Sequence, residues 1–597
     1  MKNFVERDDH LYQFGPFCLD ASQRVLLRDG RLVSLPPKAF STLLALVLSR
    51  GHLVEKDMLM ETVWPDEVVE ESNLAQHIFM LRKALGETVG NTKYIETVPR
   101  RGYRFIASVT ERRKEVAEVA NDVSERLTPK KDTDERLVDT QSIAVLPFEL
   151  LGSVPQDEYL GLGIADALIT RLSNLKQVKV RPTSAVRNAI KGDVIAAGRA
   201  LKVATVLEGT IQKWDEYIRV TVQLVSIQDG VTLWAQRFDE KFTNIFAIED
   251  SISEQAAAAL TVKLTAQEHE RLVKRYTNNT QAHQAYLKGR YFFEKRTREG
   301  VTKSIEYFEL AIRTDPYDAT AHAGLAECYC SLVIFDLLSP KEAMPKAKEA
   351  ALKALSIEPN LADAHAALGQ SLLNEWEWAG VERQYKLAIE LNANYARAHH
   401  YYAIYLRHMR RFEESLRESR IAQELDPISA TLKAAAAGTL YCAGRYDEAI
   451  EELNRTLEFD ANFALAHYWM ARIYVQKAMY EEAITEFERT MSVFGKNPEM
   501  FAHLGYVYAL SGRSEAAQKV LDELEELSKK EYVPSYYRAI VCVGLGRKEQ
   551  AFKWLEKAYQ EHDLNLIPLA VDPSLDSLRD NPRFTRLLQL TGLMKSS

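Results

Sequence analysis

The feature that most limits what this chain can fold into is a 34-residue repeat in its C-terminal half. Pro359, Ala393, Pro427 and Ala461 stand at equal steps of 34. In the same register small residues recur at Gly369, Ala403, Ala437 and Ala471, and larger ones three positions on at Leu372, Leu406, Leu440 and Tyr474. A unit of this length holds two helices and a turn. Alone it cannot bury its apolar stripe, so neighbours must stack. Residues 280–597 therefore predict an all-α solenoid, with an atypical first unit over 282–316 and an insertion around 335–341. About seven units are expected, closed by a capping helix in VDPSLDSLRDNPRFTRLL.

The rest of the chain divides by period. Residues 11–108 mix short alternating runs with helical stretches, 109–140 form a charged linker without a large apolar face, and 141–265 are mixed α/β. In that third region SIAVLPF reads as a buried strand, EYLGLGIADALITRLSNL as a helix, and ATVLEGTIQKW, YIRVTVQLVSI and VTLWAQRFD as strands before a helix over 245–264. The repeats are similar to tetratricopeptide repeats. IAVLPF, VLEGTI and LWAQRFDEKFTNIFAIEDSI resemble the TolB-amino-terminal-like domain found before such repeats, for which the resemblance implies assembly or ligand sensing and no catalytic residues. The fold class is multidomain α+β: a module of short strands and helices over 11–108, then a small mixed α/β domain, then the all-α solenoid.

Residues 11–108 follow the order strand, strand, helix, helix, helix, hairpin. LYQFGPFCLD and RVLLRDGRLVSL supply short strands, the second turning at Asp29-Gly30. Pro36-Pro37 opens a helix over 38–49 that Gly51 stops, and a second helix over 56–63 ends at Trp64-Pro65. A third starts at Ser72 or Asn73 and ends by Gly86. Leu74, Ile78, Leu81 and Leu85 fall on one face of it, which leaves Asn73, Gln76, His77, Met80, Arg82 and Lys83 on or beside the other. KYIETVPRRGYRFIA then reads as a hairpin with Arg100, Arg101 and Arg104 around Gly102.

LRKALG at 81–86 and YIETVPRRGYRF at 94–105 resemble the OmpR/PhoB-type winged helix, and the resemblance covers essentially all of 11–108. It implies that the third helix enters the major groove of double-stranded promoter DNA and that the wing arginines reach the adjacent minor groove. The acidic loop with Asp66, Glu67 and Glu70 would by the same resemblance touch RNA polymerase, and a homodimer on direct repeats is expected. Phe79-Met80 stand where many relatives carry basic residues. They cannot donate hydrogen bonds to bases, only touch a thymine methyl, which shifts base reading towards Asn73, Gln76, His77 and Arg82. Other readings of the same residues stay open. Asn73 with Gln76 also spells a capping box, His77 also fits partial burial, Arg100 and Arg101 also fit a solvated turn, and Arg104 also fits a strand edge.

Charge supports the DNA reading only on the right scale. The chain carries −8 overall, from 76 basic and 84 acidic residues, yet 71–110 holds six basic side chains against three acids. A local patch is what phosphate binding requires.

Several classes are excluded or disfavoured. No run approaches the roughly 18 apolar residues of a membrane span, and residues 1–10 do not read as a signal peptide, so a cytoplasmic protein is expected. Five cysteines without metal spacing suggest a reducing compartment. Gly161-x-Gly163 lacks the rest of a dinucleotide fingerprint and reads as tight packing. No phosphate loop, HExxH or GxSxG occurs, so neither an enzyme nor a cofactor is expected. The sequence thus reads as a DNA-binding transcription regulator resembling the CadC/HilA type, without a transmembrane anchor. Its repeat groove is expected to take a protein or peptide partner, with Tyr385, Tyr395, Tyr401, Tyr402 and Tyr405 as candidates against a packing role. The alternative is a repeat scaffold with a vestigial DNA module.

Overall fold

The computed structural model describes residues 10–20, 25–28, 31–33, 35, 37–49, 51–63, 74, 77–78, 80–82, 85, 93–98, 101–113, 142–152, 157–187, 189, 192–260, 264–495 and 497–594. They fall into two compact units, residues 1–136 and residues 137–597.

In the first unit β1 (His10–Phe14), β2 (Phe17–Asp20), β3 (Val25–Arg28), β4 (Arg31–Val33) and β8 (Thr110–Arg113) form an antiparallel sheet in the order β4-β3-β2-β1-β8. Gly15 turns β1 into β2 at φ +52°, a left-handed backbone that suits glycine. Helices α1 (Pro37–Leu48) and α2 (Lys56–Val63) sit where the proline and glycine punctuation places them. Helical backbone recurs at 74, 77–78 and 80–82. A second sheet, β5-β7-β6, joins Leu53–Glu55 (β5), Gly102–Phe105 (β7) and Ile95–Val98 (β6). Two strands go beyond the sequence reading. β5 is only three residues long, too short for an alternating signal, and β8 lies inside the stretch read as linker. The Asp29-Gly30 turn and both ends expected for the third helix lie outside the described residues.

The second unit combines the α/β region and the solenoid. Its sheet runs β11 (Lys179–Val180), β9 (Ser142–Val145), β12 (Thr205–Trp214), β13 (Tyr217–Ser226), β14 (Thr232–Lys241), with β10 (Glu149–Leu150) beside β12. β9 is parallel to both neighbours, and the last three strands form an antiparallel meander. Helices Tyr159–Leu172 and Ile245–Ala259 cover the sheet. A Cβ at Gly161 would lie 2.2 Å from the Phe148 carbonyl oxygen and one at Gly163 3.0 Å from Leu287. Both glycines therefore allow close approach.

Eight helix pairs follow, from Thr280–Phe293 with Arg298–Thr314 to Ser535–Gly544 with Lys548–Glu561, one more than the repeat count from sequence. Helix Pro582–Leu590 closes the array after two 3-10 turns. The recurrent small positions are buried, as close helix contact demands: Ala403, Ala437 and Ala471 are 3% exposed or less. At Gly369 a Cβ would come within 2.9 Å of the Tyr385 ring.

Polar groups fix the α/β domain to the repeats. Asn394, in a repeat turn, donates from Nδ2 to the carbonyls of Ser173 (3.2 Å) and Val178 (2.9 Å) and accepts the Val180 amide at Oδ1 (3.2 Å). Buried Glu249 lies between Arg171 (3.1 Å) and His283 (2.9 Å), and Asp166 accepts from Arg290 at 2.8 Å.

The solenoid also closes on itself. Trp378 Nε1 donates to the Thr591 carbonyl at 2.8 Å, and His562 Nδ1 lies 2.8 Å from the Asn374 carbonyl. The Tyr537 hydroxyl donates to Asp336 at 3.0 Å, and the Trp376 ring stacks on Tyr559 and His562. The third repeat thereby holds the C-terminal cap.

Candidate nucleic-acid interface

The orientation of the third helical stretch follows from its apolar face. Leu74, Ile78, Leu81 and Leu85 are all buried, 3% exposed or less, in one core with Phe40, Leu46 and Phe105. That fixes His77, Met80 and Arg82 at half-buried positions on the flank. Burial, and then the Lys38 ammonium, lower the His77 imidazole below its ordinary value, so it is uncharged at neutral pH.

Arg82 turns towards the hairpin. Its Nη2 donates to the Ile95 carbonyl at 3.1 Å and to the Thr97 hydroxyl at 2.7 Å. One guanidinium nitrogen thereby ties the helix to β6. That tie could not be read from the sequence, because its partners stand 13 and 15 positions further along the chain.

The hairpin pairs Ile95 with Phe105, Glu96 with Arg104, Thr97 with Tyr103 and Val98 with Gly102. At its tip the Arg101 amide donates to the Val98 carbonyl at 3.1 Å, while the Arg101 side chain is exposed. Gly102 answers to β5: an added Cβ would lie 2.0 Å from the Val54 carbonyl oxygen. The glycine of the RRGY motif is thus set by strand contact. At the base of the hairpin Tyr94 and Phe105 meet Phe14 and Phe17, with Phe14 and Phe105 centroids 4.9 Å apart. The first sheet therefore anchors the second.

Arg104 pairs across the strands with Glu96 at 3.3 Å, both side chains being more than 40% exposed. Such a pair is worth roughly 0–1 kcal/mol, so it holds Arg104 weakly. Lys93, not singled out from sequence, is exposed just before β6. Asn73, Gln76, Lys83 and Arg100, and the acidic Asp66, Glu67 and Glu70, lie outside the described residues.

In the repeats Tyr385, Tyr402 and Tyr405 are 5% exposed or less, and Tyr395 and Tyr401 are half-buried. The Tyr385 hydroxyl donates to Gln370 (2.8 Å) and the Tyr402 hydroxyl to Glu382 (3.0 Å). None of the five cysteines is paired. Among the described residues no His, Cys, Asp and Glu group is placed to hold a metal ion, and no helix is long and apolar enough to cross a membrane.

Comparison with known proteins matches each region separately. Residues 30–105 match the family model "Transcriptional regulatory protein, C terminal", and 139–255 match "HilA/YgeH-like transcriptional regulator, second domain". Residues 439–477 and 464–493 match tetratricopeptide repeat models. The transcriptional regulator HilA of Salmonella typhimurium is 24% identical over 84% of this chain and 80% of its own length. Putative adenylate cyclase 3 of Rhizobium meliloti is 32% identical over 31% of this chain and 32% of its own. The solved DNA-binding domain of Escherichia coli CadC is 28% identical, with a TM-score of 0.16, over 17% of this chain and 98% of that one. The chain combines an OmpR/PhoB-type DNA-binding domain, a HilA-like second domain and tetratricopeptide repeats, the domain set of a DNA-binding transcription regulator.

Proposed function

We propose that the chain docks on double-stranded promoter DNA with the third helix of its first unit in the major groove and the tip of the β6–β7 hairpin at the neighbouring minor groove. The observation that carries this reading is the burial of Leu74, Ile78, Leu81 and Leu85, which leaves the polar positions of that helix for the groove. Asn73, Gln76, His77, Met80 and Lys83 are the proposed groove-facing residues. His77 meets DNA as a neutral ring and Met80 by apolar contact. Arg82 acts first by holding the hairpin. Arg100 and Arg101 supply phosphate or minor-groove contacts, and Arg104 exchanges its weak partner Glu96 for a phosphate.

The loop with Asp66, Glu67 and Glu70 is proposed to contact RNA polymerase, and two copies to bind direct repeats as a dimer. The second unit takes a protein or peptide partner, and the protein works in the cytoplasm. The cyclase-named relative is matched over a third of its length, and no catalytic step is assigned to this chain.

The test is selection of binding sites from a random DNA library by the full chain, followed by salt titration of the selected site. Arg101→Ala should flatten the slope of log K against log salt by about 0.9 if the side chain neutralises one phosphate. Equally weak binding to every sequence, with the slope unchanged in Arg101→Ala, would return the chain to the scaffold reading.

A further inference from the structure

Closure of the solenoid leaves a cavity of about 270 Å³ between the repeat carrying Tyr401 and His408 and the segments carrying Tyr537 and Asp563. Three carboxylates line it, Asp336, Glu499 and Asp563, and no lysine or arginine is among the described residues lining it. Elsewhere in this unit buried acids meet arginine, as Asp166 meets Arg290 and Asp572 meets Arg472. Here the donors are neutral. Asp336 accepts the Tyr537 hydroxyl (3.0 Å), Glu499 the Tyr468 hydroxyl (2.7 Å), and Asp563 the amides of Tyr536 and Asn565. Burial, and then the neighbouring Glu499 carboxylate, push Asp336 up to about 7. The three acids are thus gathered in a partly dry space with no ion pair to a lysine or arginine among the described residues, although the Arg538 charge reaches Asp563.

A second observation lies on the opposite wall. His408 is 7% exposed, accepts from Arg407 Nη2 at Nε2 (3.4 Å), and has no partner for Nδ1. Burial, and then the Arg407 charge, hold this ring well below its ordinary value, so Nδ1 carries the single proton and needs an acceptor. The carboxylates do not converge on one point, since no group of His, Cys, Asp and Glu among the described residues could hold a metal ion. Tyr385, Tyr401, Tyr405, Tyr532 and Tyr537 line the same space, and aromatic rings suit an organic cation.

We infer that the closed solenoid holds a binding site for a small organic cation that also carries a hydrogen-bond acceptor, of the chemical class of a basic amino acid. Its ammonium or guanidinium lies against Asp336 and Glu499, and its acceptor takes the Nδ1 proton of His408. The site is separate from DNA binding, and its test uses no DNA.

Calorimetric titration and thermal unfolding of the full chain with L-arginine, agmatine and succinate decide the matter. L-Arginine should bind saturably and raise Tm, and succinate should do neither. Asp336→Asn combined with Glu499→Gln should weaken L-arginine at least tenfold. Ile404→Phe, which fills the cavity while keeping the carboxylates, should also abolish binding, so the inference stays testable if the double variant fails to fold. His408→Phe should weaken L-arginine more than agmatine, which lacks the carboxylate. Failure of both cations to bind, equal binding of succinate, or L-arginine affinity unchanged in Ile404→Phe would overturn the inference.

Discussion

Arg82→Ala separates two ways in which one arginine can serve DNA recognition. The side chain makes two hydrogen bonds to β6, at 3.1 Å to Ile95 and 2.7 Å to Thr97. Neither is fully buried, so each is taken at about 1 kcal/mol, near the centre of the range for intramolecular hydrogen bonds. Losing both relaxes the hairpin by about 2 kcal/mol, which appears as roughly a 30-fold loss of affinity if binding needs the hairpin in place. Thr97→Val removes one acceptor and leaves the charge, so it should cost about 1 kcal/mol, roughly fivefold. The double variant should be no worse than Arg82→Ala alone, because both act on one contact. Fluorescence anisotropy of the full chain on its selected site and on a scrambled duplex reads all four corners of the cycle. A positioning role lowers both affinities by the same factor. If Thr97→Val is silent while Arg82→Ala changes which bases are preferred, the positioning argument is refuted and Arg82 reads bases.

Other perturbations test other parts of the structure. Gly102→Ala should unpair β5 from β7 and weaken binding to all DNA sequences alike, seen by anisotropy together with a lowered Tm of the first unit, because its Cβ would meet a backbone oxygen at 2.0 Å. Asn394→Ala leaves two carbonyls and an amide without their partner and should destabilise the second unit by about 2–4 kcal/mol in denaturant titration. Asp336, raised to about 7, contributes stability that is full below the ordinary carboxylate range and lost as pH rises through 7. Asp336→Asn should therefore gain stability relative to wild type between pH 4 and 7 and hold a constant difference above, read as Tm against pH.

What the sequence made legible depended on how local the cause was. The repeat register, α1, α2 and the buried face Leu74, Ile78, Leu81 and Leu85 come from periodicity and punctuation within a few turns of chain, and the structure places them accordingly. Glycine 102 was visible as part of a motif, but its reason, the Val54 carbonyl, lies almost 50 residues earlier in a strand too short to announce itself. Arg82 and Arg104 looked alike as basic residues near a groove. One is tied by its nitrogen to a strand and the other holds only an exposed carboxylate. The hydrogen bonds of Asn394 and the closure through Trp378 join residues more than 200 apart, and no window of sequence spans such a contact.

That closure has a consequence for how this architecture can vary. An open array of stacked repeats tolerates loss or gain of a unit, because each touches only its neighbours. Here the ring of Trp376 and the nitrogen of Trp378 must meet residues 559–592 after five further helix pairs. Removing or inserting one pair would rotate and shift the cap away from its seat. The number of repeats is therefore locked, as the number of links is in a clasped bracelet, and length variation is confined to loops outside the clasp.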